Sequence, residues 1–143
     1  MWTALTKPER LRRWLAEAEF EERVGGRAEL RFGAGAIEGT VRALDRSRLL
    51  EYEWIELGTR SVVRFQLEPA DGTLLVLDHR LLPADAAAGF GAGWHSHLDS
   101  LAEALAAPEG AHDPDAWWGR FRSLLPRYGE AVAGAGASDR RTA

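Results

Sequence analysis

Between residues 28 and 80 one pattern recurs five times: a short run of alternating apolar and polar side chains, then a turn. "AELRF" sets Leu30 and Phe32 against Glu29 and Arg31. "IEGTVRA" sets Ile37, Gly39 and Val41 against Glu38, Thr40 and Arg42. "LLEYEWI" sets Leu50, Tyr52 and Trp54 against Glu51 and Glu53, and "SVVRFQLEP" sets Val63, Phe65 and Leu67 against Arg64, Gln66 and Glu68. "TLLVLDHRLL" sets Leu75, Leu77 and His79 against Leu74, Val76 and Asp78. A period of two is the mark of strands whose successive side chains point to opposite faces. The connections are short: Gly33-Ala34-Gly35, "DRSR", Gly58-Thr59 and the hairpin pair Asp71-Gly72. Short links join antiparallel neighbours, so the run predicts a five-stranded meander with one wet face. Leu74 and Val76 make the last strand apolar on both sides, which predicts a cover over its back. Gly39, in mid-strand, predicts a bend or a close backbone approach.

A sheet with one dry face needs a second layer. Phe90, Trp94, Leu98, Leu101 and Leu105 form a helical stripe over about four turns, and Pro108 and Gly110 end it. The chain opens on "MWTALTKPERLRRWL", which reads as two short helices split at Thr6-Lys7-Pro8. Trp2 and Leu5 lie on one face, Thr6 and Glu9 have capping-box spacing, and Leu11, Trp14 and Leu15 follow at helical intervals. Val24-Gly25-Gly26 breaks this helical region before the sheet begins. One long helix across a curved sheet, with two small helices at an end, is expected to leave a cavity between helix and sheet.

Bulk properties exclude several functions. A formal net charge of −4 and a pI near 5.6 argue against non-specific nucleic-acid binding. No apolar run approaches the roughly 20 residues of a membrane span, and no signal-like apolar segment opens the chain, so a cytoplasmic protein is expected. The absence of cysteine rules out disulfides, thiol catalysis and cysteine zinc sites. Of the 18 basic residues one is lysine, Lys7, a bias that suggests a GC-rich coding sequence.

The segments "WTALTKPERLRRWL", "GGRAELRF", "GTVRALDRSRLLEYEW", "VVRFQLEP", "GTLLVLDH" and "GWHSHLDSLAEAL" run in order over residues 1 to 107. Together they resemble the START-like superfamily, within it the branch of the C-terminal domain of the activator of Hsp90 ATPase. The resemblance implies an α+β helix-grip fold, a curved antiparallel sheet wrapped around a long C-terminal helix. It also implies a hydrophobic cavity of the kind that binds lipids, polyketides or other apolar molecules. In that family a strand precedes the "W-x-ALT" helix and pairs at the sheet edge. The resemblance therefore implies that this first strand is missing: either the native chain starts upstream, Met1 standing for a misread valine GTG codon, or the chain is truncated and exposes strand edges open to pairing with another chain. An in-frame stop codon just upstream would rule that out.

Candidate ligand-cavity residues are Trp14, Phe32, Tyr52, Trp54, Phe65, Leu77, His79, Trp94 and His97. The aromatics fall on the expected inner face, where they either line a pocket or simply fill the core. His79 and His97 could anchor a polar group of a ligand in a mostly apolar pocket, although histidines satisfied within the core or at its rim are commoner. His95 and His97 point apart on a helix, so no metal site is expected, and no cofactor. No catalytic residue is assigned. "GAGAIEG" and "GFGAG" lack the strand–loop–helix context of phosphate loops, and Ser61, Ser96, Ser100 and Ser123 lack a nucleophile elbow.

Residues 1–110 are thus expected to form the helix-grip domain, 111–130 a helical extension and 131–143 a disordered tail. Asp113 and Pro114 mark a helix start, and Pro126 a stop or kink. Trp117, Trp118 and Phe121 are costly to leave in water. They dock either on their own domain, which is favoured, or on a second copy or protein partner. The expected function is binding of a small apolar molecule. The alternatives are a co-chaperone-like interaction module and a polyketide cyclase-like enzyme, the latter without a motif to support it.

Overall fold

A computed structural model describes residues 1–33 and 35–142, the side chains of 141 and 142 excepted. The chain divides into two compact units, Met1–Leu82 and Pro83–Ala143.

The first unit carries two short helices, α1 (Trp2–Thr6) and α2 (Pro8–Leu11), and six strands. These are β1 (Glu17–Phe20), β2 (Arg27–Phe32), β3 (Gly35–Asp45), β4 (Leu49–Glu56), β5 (Thr59–Ala70) and β6 (Gly72–Arg80). All pair antiparallel with their sequence neighbours in the order β1-β2-β3-β4-β5-β6. The meander is as expected, with one strand more. β1 was hidden in "AEAEFEER", whose alanines and glutamates favour helix. Pairing with β2 overrides that preference, setting Ala18 opposite Leu30 and Phe20 opposite Ala28. The turn expected at Gly33-Ala34-Gly35 includes Ala34, which lies outside the described residues; Gly33 has φ +55°.

The N-terminal helices differ from the sequence reading in one respect. The capping box does not form: Lys7 is the N-cap of α2, and the Thr6 hydroxyl donates back to the Trp2 carbonyl at 3.1 Å. α2 ends at Leu11, whose carbonyl collects the N–H groups of Trp14, Leu15 and Ala16 and so folds the chain into a turn. Leu11, Trp14 and Leu15 are buried all the same. The Trp14 indole donates to the Ala4 carbonyl at 2.8 Å, tying this turn to α1. Trp2 and Lys7 both donate to Glu22, at 2.8 and 3.1 Å, and hold its carboxyl below the ordinary carboxylate range.

Gly39 is a close approach. A Cβ there would stand 2.0 Å from the Glu53 carbonyl oxygen, beside the irregularity in β3–β4 register between Val41 and Ala43. The expected cover over the back of β6 is not there: Leu74 is 50% and Val76 39% exposed, beside charged neighbours on the same face.

The second unit is a helix pair, α3 (Ala87–Ala106) and α4 (Pro114–Thr142). Asp113 caps α4, accepting from the N–H groups of Asp115 and Ala116 at 3.0 and 3.1 Å. α4 neither stops at Pro126 nor gives way to disorder after residue 130; it runs through to Thr142. Proline removes one backbone hydrogen bond, but Tyr128 pins the next turn. Its ring covers Gly91 of α3, where a Cβ would meet it at 2.5 Å, and its hydroxyl bonds His95 Nδ1 at 2.9 Å. Beyond that, Ala131, Ala133, Ala135 and Ala137 supply helix propensity, and Ser138 bonds back to the Gly134 carbonyl at 3.1 Å.

Candidate functional site

The strand register places the sequence-picked residues of the sheet in cross-strand rows on its apolar face. Leu50, Phe65 and Leu77 lie opposite one another in one row. Val41, Tyr52, Val63 and His79 form the next, and Trp54 and Ser61 the third. Opposed side chains on one face are the contact unit of a sheet. Tyr52 accordingly meets Phe65 in a stacked pair at 6.2 Å and Phe20 edge-on at 5.8 Å. Phe32 packs on Trp54 at 5.8 Å, and Trp54 on His79 at 5.4 Å. Tyr52, Trp54 and Phe65 are buried, whereas Phe32, Leu77 and His79 are half-buried.

Ser61, His79 and Tyr52 bring polar groups into these rows. The buried Ser61 hydroxyl donates to the Trp54 carbonyl at 3.1 Å and lies 2.8 Å from His79 Nε2. One proton cannot serve both bonds, so with Ser61 donating to the carbonyl, His79 Nε2–H donates to Ser61, which fixes the neutral tautomer. Burial pushes the imidazole down to about 4, against a smaller upward pull from Asp78. Tyr52 is the third; burial raises its phenol well above the usual value. The tyrosine hydroxyl has no hydrogen-bond partner among the described residues.

Charge is sorted to the opposite face. Arg27 and Arg31 pair with Glu19 and Glu29. Glu51, almost buried, accepts from Arg64 at 2.8 Å and Arg80 at 2.7 Å, with Arg42 at 3.9 Å. By register, Glu56 at the β4–β5 hairpin is the one charged strand residue in line with the apolar face, and it accepts from the Trp54 indole at 3.4 Å. A recess of about 600 Å³ lined by Asp45, Arg48, Gln66 and Glu68 lies at the other end of β4 and β5, is open and polar, and includes none of the candidates.

Trp94 and His97 belong to the second unit. His97 lies between Trp94, at 5.8 Å, and Trp117, at 4.9 Å. The α4 aromatics dock on α3: Ser96 donates to the Trp117 carbonyl at 2.9 Å, and Trp117 stacks on Phe121 at 5.3 Å. Trp118 meets both rings edge-on yet stays 49% exposed. Trp14 binds through its indole to the Ala4 carbonyl of α1. Sequence reasoning missed Ser61 and the His95–Tyr128 bond. Ser61 was legible, standing two residues before Val63 and so on the same face. No metal-binding cluster occurs among the described residues, and no helix is long and apolar enough to cross a membrane.

The model of the family described as Activator of Hsp90 ATPase homolog 1-like protein matches residues 1–106. The chain belongs to that family. Among solved structures it is similar to CalU16 of Micromonospora echinospora, 30% identical over 93% of this chain and 77% of that one, with a TM-score of 0.72. MLL2253 of Mesorhizobium loti is 29% identical over 73% of this chain and 85% of its own, with a TM-score of 0.67. DynU16, a protein of the dynemicin biosynthetic locus, is 25% identical over 75% of this chain but only 42% of its own, with a TM-score of 0.68. No curated protein gives a significant match. The START-like kinship and the α+β helix-grip class read from the sequence thus stand.

Proposed function

We propose that this family member binds a small apolar molecule against the aromatic face of its sheet. The observation that carries the reading is the segregation just described. Phe32, Tyr52, Trp54, Phe65 and Leu77 share one face with a self-satisfied Ser61–His79 pair, while the arginines and nearly all carboxylates turn away. A mostly apolar surface with a few placed polar groups is what small-molecule sites use. Native mass spectrometry of the purified full chain, with extraction of what co-purifies, tests this. A bound apolar molecule, or uptake of added Nile red, is expected; an empty protein that takes up no Nile red overturns the reading.

A second reading, a protein-interaction module, is favoured by Trp118 and Leu125. They are 49% and 38% exposed and seven residues apart on α4, hence on one face. An empty, concentration-dependent dimer in the same spectra would support it.

A further inference from the structure

We infer that two copies of this chain pair through the outer edge of β6, strand against strand and antiparallel, about a two-fold axis at Val76. The open edge calls for a strand, and its side chains fit a second copy of themselves.

The sheet runs β1-β2-β3-β4-β5-β6, so β1 and β6 are its edges. An edge strand presents unpaired N–H and C=O groups, and native sheets blunt such edges with short strands, charges, prolines or bulges. β1 is blunted: it has four residues, two of them Glu17 and Glu19. β6 has nine residues, and from Gly72 to Leu77 it carries neither charge nor proline. Its register with β5 is unbroken from Val62–Arg80 to Ala70–Gly72, so no bulge turns the edge away. Along Thr73–Leu77 no backbone hydrogen bond runs to anything but β5 among the described residues. Leu74 and Val76, on the same stretch, are 50% and 39% exposed. A row of backbone donors and acceptors is matched by another strand, and the apolar side chains beside it select an apolar one.

The second copy's β6 meets both conditions. Residues directly opposed in an antiparallel pair lie on one face of the sheet. The register centred on Val76 keeps Leu75 and Leu77 of both copies on the same side and pairs all nine residues of β6. Val76 then meets its own copy, and Leu75 meets the partner's Leu77, twice by symmetry. Leu74 meets the partner's Asp78 and Gly72 the partner's Arg80, so no like charges oppose. Each Arg80 keeps its ion pair with Asp78 of its own strand, at 3.2 Å. A register centred on Asp78 would set two aspartates face to face and pair only residues 76–80. Charge and overlap thus choose one register. The contact is one strand wide and about 30 Å long, small against the roughly 800 Å² per partner of a standard interface, so a dissociation constant of about 50 μM is expected.

Sedimentation velocity of the full chain from about 5 to 500 μM reads the dimer. A monomer–dimer equilibrium is expected in wild type and in Trp118→Ala, which removes the exposed tryptophan of α4. It is expected to be lost in Val76→Lys, which sets two like charges opposite each other at the axis. Val76 is exposed, so that variant should keep the wild-type circular dichroism and urea midpoint. The register is tested separately, since the chain has no cysteine. With oxidised glutathione as oxidant, Val76→Cys should form a disulfide-linked dimer at least about tenfold faster than Leu74→Cys. Opposed Cα atoms at the axis are about 4.5–5.5 Å apart, within disulfide reach, whereas the two positions 74 stand about 13 Å apart along the strands. Chance collision would favour the more exposed position 74 instead. A monomer at every concentration overturns the inference and leaves the edge to a strand of another protein. A dimer that persists in a folded Val76→Lys, a dimer lost in Trp118→Ala, or equal cross-linking of the two cysteine variants overturns it as well. Should Val76→Lys fail to fold, the cysteine pair decides alone.

Discussion

His79 makes the stability of the first unit depend on pH in a way that one substitution isolates. In the folded chain burial holds its imidazole down to about 4, against the ordinary 6.5. Between those values the unfolded chain binds the proton and the folded chain does not. Stability therefore rises with pH through this window and is lost as pH falls from about 6.5 towards 4. The gap would be worth roughly 3 kcal/mol if the ring were fully enclosed. It is half-buried, and solvent screening brings the expected loss down to about 1–2 kcal/mol. Protonation would also put a charge beside the Trp54 ring, 5.4 Å away, which partly compensates. His79→Gln keeps an N–H donor for Ser61 and has no charge to gain. Urea unfolding followed by tryptophan fluorescence, at pH 7.0 and 4.5, gives four free energies. Other groups titrate equally in both proteins, so the difference of differences reports His79: wild type should lose about 1–2 kcal/mol more than the variant on acidification. Equal losses would refute the argument, as would an NMR titration placing the His79 imidazole near 6.5.

Three further substitutions probe the frame. Gly39→Ala puts a methyl group 2.0 Å from a backbone oxygen that cannot rotate away, so it should destabilise by about 3 kcal/mol, read from the urea midpoint. Glu51→Gln leaves Arg64 and Arg80 on a neutral acceptor and should lower stability by about 1–2 kcal/mol, with a smaller difference in 1 M salt. Gly91→Ala drives a Cβ into the Tyr128 ring and breaks its bond to His95, so the α3–α4 pair should lose about 1–2 kcal/mol, seen as faster amide exchange beyond Pro126.

What could be read from the chain was set by how local the signal is. β2 to β6 were legible because each alternates over five or more residues, and because Gly58 and Asp71-Gly72 mark the hairpins. β1 was not, since four residues of "EAEF" inside a glutamate-rich stretch look like helix until β2 is there to pair with them. The C-terminal helix was cut short in the reading because Pro126 and three later glycines are local breakers. What overrides Pro126 is Tyr128 on Gly91 and His95, contacts 33 to 37 residues apart that no window reveals. The site followed the same rule. Parity put Phe32, Tyr52, Trp54, Phe65, Leu77 and His79 on one face, as the register has them. That Ser61 answers His79, and that Tyr52 answers nothing among the described residues, depends on angles and distances between strands.

One row of the sheet shows why its polar groups suit different roles. Exposure is 1% at Val41, 3% at Tyr52 and 0% at Val63, and the row opens only at half-buried His79 on the edge strand β6. A histidine at the open end stays within reach of solvent protons, so its charge state responds to pH, and burial keeps it neutral above about 4, so the neighbouring aromatic rings face no charge. A phenol at the closed end can do neither. It stays protonated over any physiological pH, and its hydroxyl acts only as a fixed donor and acceptor. Depth along the row thus separates a group whose charge follows the solvent from one whose proton stays fixed. Since the two stand two strands apart, each can be altered without disturbing the other's bonds.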